Sequence, residues 1–243
     1  MDKLSKKAAQ PIAAQPDFKS RMRRVVELFP EGIDALLVST RSNIRYLCNF
    51  SGSAGGLLLK RDGAIFFTDF RYQEQSATEI GSFAERQVYK TSLLETVKEY
   101  FDKHPNMHVA LEGTLTIDGF ETLNKGKKAN FQMVKGLVEQ VRRIKDETEM
   151  IHLRRAFAIG DKAFASLLKH IKPGRKENDL AARLEFLMRQ AGSEGMSFDT
   201  IVAGGERASC PHAQPTDRKV RAGEMIKIDF GAVSGGYHSD MTR

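Results

Sequence analysis

The chain has 243 residues, 41% apolar and 28% charged, a globular composition long enough for one large or two modest domains. Its net charge of +7 rests on short scattered clusters, Arg21-Met22-Arg23-Arg24, Lys125-Gly126-Lys127-Lys128 and Arg142-Arg143-Ile144-Lys145, without interleaved aromatics, so no nucleic-acid partner is expected. No apolar run approaches the roughly 18 residues that span a bilayer, and Met1-Asp2-Lys3-Leu4-Ser5-Lys6-Lys7 lacks a secretory core, so a cytoplasmic chain with no membrane partner is expected.

Residues 1–17, with Ala8-Ala9-Gln10-Pro11 and Ala13-Ala14-Gln15-Pro16, read as a flexible tail of low complexity. From Phe18 a basic amphipathic helix runs to Phe29 and is closed by Pro30 and Gly32. Ala35-Leu36-Leu37-Val38 reads as a buried strand and Asn43-Ile44-Arg45-Tyr46-Leu47 as a short helix or turn. Leu57-Leu58-Leu59 and Ala64-Ile65-Phe66-Phe67-Thr68 are two strands about a turn at Arg61-Asp62-Gly63. A helix from Leu93 to Phe101 and a strand at His108-Val109-Ala110-Leu111 complete an α/β unit over residues 18–138.

A second unit occupies residues 139–243. Arg142-Arg143-Ile144-Lys145-Asp146-Glu147-Thr148-Glu149 opens a long helix with its apolar stripe at Leu153, Phe157, Gly160, Phe164, Leu168 and Ile171, ending at Pro173-Gly174. A second helix carries Leu180, Leu184, Leu187 and Ala191 on one face, with Gly192 near its end.

The last residues read as a hairpin. Ile226, Ile228 and Phe230 alternate with Lys227, Asp229 and Gly231, and Ser234-Gly235-Gly236 supplies the turn. With the turn centred on Ser234-Gly235, Asp229 falls directly opposite Asp240. Their Cβ atoms would then lie about 5 Å apart, where two like charges at an effective dielectric near 20 repel by roughly 3 kcal/mol. A divalent metal, a nearby Lys or Arg, or a shared proton would relieve this. A register one residue different would instead place the two carboxylates on opposite, solvated faces.

Other candidates carry less. His104 and His108 have zinc-binding spacing only on a helix, which Pro105 and Asn106 break. Cys48 and Cys210 lie far apart, so no disulfide is expected, and Cys210, two residues before His212, reads as a bystander.

Phe198-Asp199-Thr200-Ile201-Val202-Ala203-Gly204-Gly205, Pro211-His212-Ala213, Pro215-Thr216-Asp217-Arg218, Gly223-Glu224 and the hairpin together resemble the first half of the pita-bread metallopeptidases. Asp-Phe-Gly-Ala followed by Gly-Tyr-His-Ser-Asp-Met-Thr-Arg is most similar to the Xaa-Pro aminopeptidase and prolidase branch. Upstream, Gly32-Ile33-Asp34-Ala35-Leu36-Leu37-Val38, Asn43 to Leu47, Phe50-Ser51-Gly52-Ser53-Ala54-Gly55 and Thr68-Asp69-Phe70-Arg71-Tyr72 resemble the creatinase-type N-terminal domain.

The fold so implied is an α/β creatinase-like N-terminal domain followed by the first half of an α+β pita-bread domain. The resemblance makes Asp229 and Asp240 two of the five ligands of a dinuclear site. It makes His212 the active-site histidine that contacts substrate and supports the tetrahedral intermediate. It implies two divalent ions, manganese first and cobalt or zinc as alternatives, a peptide substrate with proline in second position, and a homodimer. The remaining His and two Glu ligands are expected beyond Arg243, so the chain alone is expected to be inactive. The rival expectation is a binding or scaffold protein that keeps the pita-bread shape without hydrolysis.

Overall fold

The structure, a computed structural model, describes residues 16–243. Most of the tail read over residues 1–17 therefore lies outside the described residues, and Asp17 is a helix cap whose carboxylate accepts the Ser20 amide at 2.9 Å. The chain divides into two compact units after Lys145.

The first unit runs α1 (Phe18–Val26), β1 (Ala35–Val38), α2 (Arg41–Cys48), β2 (Gly55–Lys60), β3 (Gly63–Asp69), α3 (Gln73–Glu79) and β4 (Glu85–Tyr89). It continues through α4 (Leu93–Lys103), β5 (His108–Glu112), α5 (Ile117–Asn124), β6 (Asn130–Val134) and α6 (Leu137–Arg142). The strands form one sheet in the order β4-β3-β2-β1-β5-β6. The β1–β2–β3 meander is antiparallel, while β1–β5, β5–β6 and β3–β4 are parallel.

Both faces of the sheet are covered, which is why β1 is apolar at every position. Leu36, Val38, Leu57, Leu59 and Phe66 pack on one side with residues of α1, α2 and α6. Ala35, Leu37, Leu58, Ile65 and Phe67 pack on the other with residues of α4 and α5. The α1 helix ends at Val26 rather than Phe29, because Leu28 and Phe29 close tighter turns onto the carbonyls of Val25 and Val26. Leu137, Val138 and Val141 of α6 belong to this core, so the unit extends past residue 138.

The second unit contains α7 (Glu147–Leu167), α8 (Glu177–Gln190), β7 (Ile201–Gly204), β8 (Ile226–Phe230), β9 (Val233–Ser234), β10 (Tyr237–His238) and β11 (Met241–Thr242). The α7 helix starts at Glu147 rather than Arg142. Asp146 accepts the Glu149 amide at 2.9 Å and Glu149 accepts the Asp146 amide at 3.0 Å, a reciprocal cap that fixes the start.

Its buried stripe also differs from the one read in the sequence. Ala156, Ile159, Gly160, Ala163 and Leu167 face the core, whereas Phe157 and Leu168 are 41% and 53% exposed. Small residues win here because the helix lies close to the sheet. A Cβ on Gly160 would sit 2.0 Å from the Met241 methyl. On α8 the expected stripe holds, with Leu180, Leu184 and Leu187 buried. Together α7 and α8 cover one face of a three-stranded sheet ordered β11-β8-β7, burying Val202, Ile228, Phe230 and Met241. Among the described residues no helix is long and apolar enough to cross a membrane.

Candidate metal centre

The two central residues of the hairpin turn are Gly235 and Gly236, with φ of +59° and +77°. Both sit in the left-handed region that a two-residue hairpin connection of the commonest type requires, and glycine enters it without a Cβ penalty. Ser234 therefore pairs with Tyr237, and the register carries outward through Val233 with His238 and Phe230 with Met241 to Asp229 with Thr242.

The direct opposition of Asp229 and Asp240 is thus corrected, because the turn lies one residue later than Ser234-Gly235. That offset moves each partner by two positions, which preserves the face. Asp229 and Asp240 are diagonal neighbours on one side of the sheet, a relation that usually separates side chains by about 7 Å instead of about 5 Å. The register one residue different, with the carboxylates on opposite faces, does not occur.

Asp229 is half-buried and its Oδ1 accepts the Thr242 hydroxyl at 3.0 Å, while Asp240 is exposed. Gly231 lies beside Asp240 in this register, where a Cβ would come within 1.9 Å of the Ser239 carbonyl oxygen. The basic residues on the same strands are engaged elsewhere. Arg243 donates to Asp161 at 3.0 Å, and Lys227, on the same face as Asp229, donates to the carbonyls of Cys210 and Pro211. Among the described residues neither carboxylate has a Lys or Arg ion-pair partner. Two unneutralised carboxylates on one open face suit a hard divalent cation, so the residues present fit part of a metal site. Among the described residues no three His, Cys, Asp or Glu side chains converge as a metal-binding group.

The loop between β7 and β8 brings His212 to the same face. Ile201 pairs with Asp229 and Ala203 with Lys227, so all four side chains point away from the helical core. Ala213 buries against Ile201 and Ala203, folding the loop onto this open side. Lys227 holds the carbonyls just before His212, and His212 itself is exposed. The structure therefore brings all three sequence-derived residues to one side of one small sheet.

The polar supports of this loop are not evident from the sequence. Glu177, the first residue of α8, is fully buried and accepts the Gly204 amide at 2.9 Å, the Thr216 amide at 3.1 Å, the Thr216 hydroxyl at 2.8 Å and the Arg207 guanidinium. Burial alone would raise its pKa, but the hydrogen bonds from Gly204, Thr216 and Arg207 outweigh it and hold the carboxyl below its ordinary value.

Arg218 grips Glu224 with two hydrogen bonds of 2.8 and 2.5 Å, pulling the Glu224 carboxyl from 4.5 to about 2. Gly204 and Gly205 make room for this pair, since a Cβ on either would lie 2.7 Å from the guanidinium. Glu177 carried no sequence signal, because an acidic residue in a first helical turn is ordinarily a solvated partner of the helix dipole. Both cysteines are free. Cys48 is buried, with its thiol pushed up to about 12 by desolvation, and Cys210 is exposed.

The creatinase/prolidase N-terminal domain matches residues 21–144 and metallopeptidase family M24 matches residues 151–243. The chain belongs to the M24 metallopeptidases. It is 35% identical over 226 residues to the uncharacterized peptidase YqhT of Bacillus subtilis, covering 92% of this chain and 64% of that protein. It is 31% identical over 233 residues to a Xaa-Pro dipeptidase of Pyrococcus horikoshii, covering 92% and 63%.

Among solved structures, a Xaa-Pro dipeptidase from Bacillus anthracis superposes with a TM-score of 0.87 at 34% identity, over 93% of this chain and 64% of that one. The prolidase from Pyrococcus horikoshii gives 0.82 at 28% identity, over 92% and 64%. The M24 chain thus spans slightly less than two thirds of the length of these relatives. Its fold is a creatinase-type α/β domain followed by part of a pita-bread domain.

Proposed function

We propose that this chain carries the substrate-side histidine and two of the metal-binding carboxylates of a divalent-metal Xaa-Pro peptidase. The substrate class is a peptide with proline in second position, cleaved at the bond before that proline. One observation carries the reading: Asp229, Asp240 and His212 share the open face of the β11-β8-β7 sheet, and among the described residues no basic side chain neutralises the two carboxylates.

In this reading Asp229 and Asp240 hold the cations, and their oxygen donors favour manganese over cobalt or zinc. A divalent ion bound there supplies Lewis acidity toward a water and a carbonyl oxygen. His212 donates a hydrogen bond to the peptide oxygen as negative charge develops, the contribution made by donors aimed at a developing oxyanion. Lys227 and Ala213 keep that donor over the carboxylate face. Thr242 fixes the Asp229 carboxylate so that one oxygen is oriented and the other stays open.

Two carboxylates supply few of the roughly six donors that hard divalent ions collect. The chain of 243 residues by itself is therefore expected to bind one weakly held ion and to release no proline. The test is a fusion of this chain to the remaining C-terminal segment of a similar Xaa-Pro dipeptidase, assayed for proline release. Activity is expected in the fusion, abolished by Asp240→Asn and reduced about 100-fold by His212→Ala. A folded, metal-loaded fusion without turnover, or turnover that survives Asp240→Asn, contradicts the reading.

A further inference from the structure

We infer that Glu177 is a positioning residue for His212. The inference deepens the proposed function and rests on His212 acting at the carboxylate face. The chain leaves β7 at Gly204, passes through a short helical turn at Gly205–Ser209 and then His212, and returns through Thr216 toward β8. Glu177 binds both ends of this excursion. One carboxylate oxygen takes the Gly204 amide, and the other takes the Thr216 amide, the Thr216 hydroxyl and the Arg207 guanidinium.

Arg207 then crosses the base of the loop to donate to the Gln214 carbonyl at 2.7 Å. The returning strand of the loop is also tied to the start of α8, with the Glu177 amide on the Arg218 carbonyl and the Asn178 amide on the Thr216 carbonyl, each at 3.0 Å. His212 sits within this closed ring of bonds and is itself exposed. A buried carboxylate is expensive unless fully partnered, and here its partners are drawn from the segments whose spacing sets where His212 stands.

The test uses the chain as it is, isotopically labelled, with the His212 ring resonance assigned by His212→Asn. Glu177→Gln and Arg207→Gln should each speed exchange of the Thr216 amide by about tenfold, as local opening of the loop becomes easier. Each should also shift and narrow the His212 ring signals while the rings of His152, His170 and His238 stay in place. Unchanged His212 signals in a folded variant overturn the inference. So does an equal change in every histidine ring, the mark of general loosening.

If Glu177→Gln fails to fold, Arg207→Gln decides alone, since that side chain is 32% exposed and Glu177 keeps its bonds from Gly204 and Thr216. Manganese-induced broadening of the Asp240 and Thr242 amides, recorded on the same samples, reads the metal site separately. Its absence contradicts the metal reading, and hence the catalytic meaning of the clamp, while the His212 signals still decide the clamp itself.

Discussion

Asp229 faces Thr242 across the terminal hairpin and accepts its hydroxyl at 3.0 Å. Asp240 consequently lies one diagonal step away on the same face, where the mutual repulsion of two carboxylates is about 2 kcal/mol at an effective dielectric near 20. This spacing leaves room for an ion between the two groups while keeping both within one site. Because Lys227 and Arg243 are committed to other acceptors, the pair stays open to a cation from solution.

The hairpin depends on Gly231 more than on any helical glycine. In Gly231→Ala the new methyl meets the Ser239 carbonyl at 1.9 Å, and backbone cannot step aside cheaply. A loss of about 3 kcal/mol is expected. In Gly160→Ala the methyl meets the flexible end of Met241 at 2.0 Å, and the gain in helix propensity of up to about 1 kcal/mol offsets much of the clash. Urea unfolding of the two variants checks this: equal midpoints would contradict the account.

The parts legible in the sequence were those where large apolar side chains decide burial. Strands β1, β2, β3 and β5 could be read because the central sheet is covered on both faces. The edge strands β4 and β6 could not, since Glu85-Arg86-Gln87-Val88-Tyr89 and Asn130-Phe131-Gln132-Met133-Val134 are mostly polar or exposed. The face of α7 was misread because Phe157 and Leu168 outweigh Ala156, Gly160 and Ala163 in any apolar count, while close helix–sheet approach selects the small residues. At the site, the shared face of Asp229 and Asp240 was legible because an even register error leaves the face unchanged. Glu177 was not, because burial of a first-turn carboxylate depends on partners from Gly204, Arg207 and Thr216, remote in sequence.

Acid should weaken the second unit through Glu224. Its carboxyl is held at about 2 by Arg218, against an ordinary value of 4.5, so the folded state favours the charged form. The stability from this group is complete above the unfolded value and is lost as pH falls toward about 2. Glu224→Gln should be less stable than the parent at pH 7 and converge with it near pH 2. Thermal unfolding curves that stay parallel across that range would contradict the assignment.

Limited trypsin digestion should cut after Arg143 or Lys145. Both are exposed, Ile144 between them is 69% exposed, and the compact units divide at this point. A resistant fragment retaining α6 is expected, because Leu137, Val138 and Val141 are buried in the first core. Cleavage within α6, or uniform degradation through both units, would show that the first unit does not hold as proposed.

In the proposed function Asp229 and Asp240 form one face of a divalent-metal site. Calorimetric titration of the chain with manganese tests it most directly, using Asp240→Asn and Asp229→Asn as controls. One weak site is expected, with a dissociation constant on the order of 10⁻⁴ to 10⁻³ M, abolished by either substitution. Tight binding of two ions by the chain alone, or weak binding that persists in both substituted proteins, would contradict it.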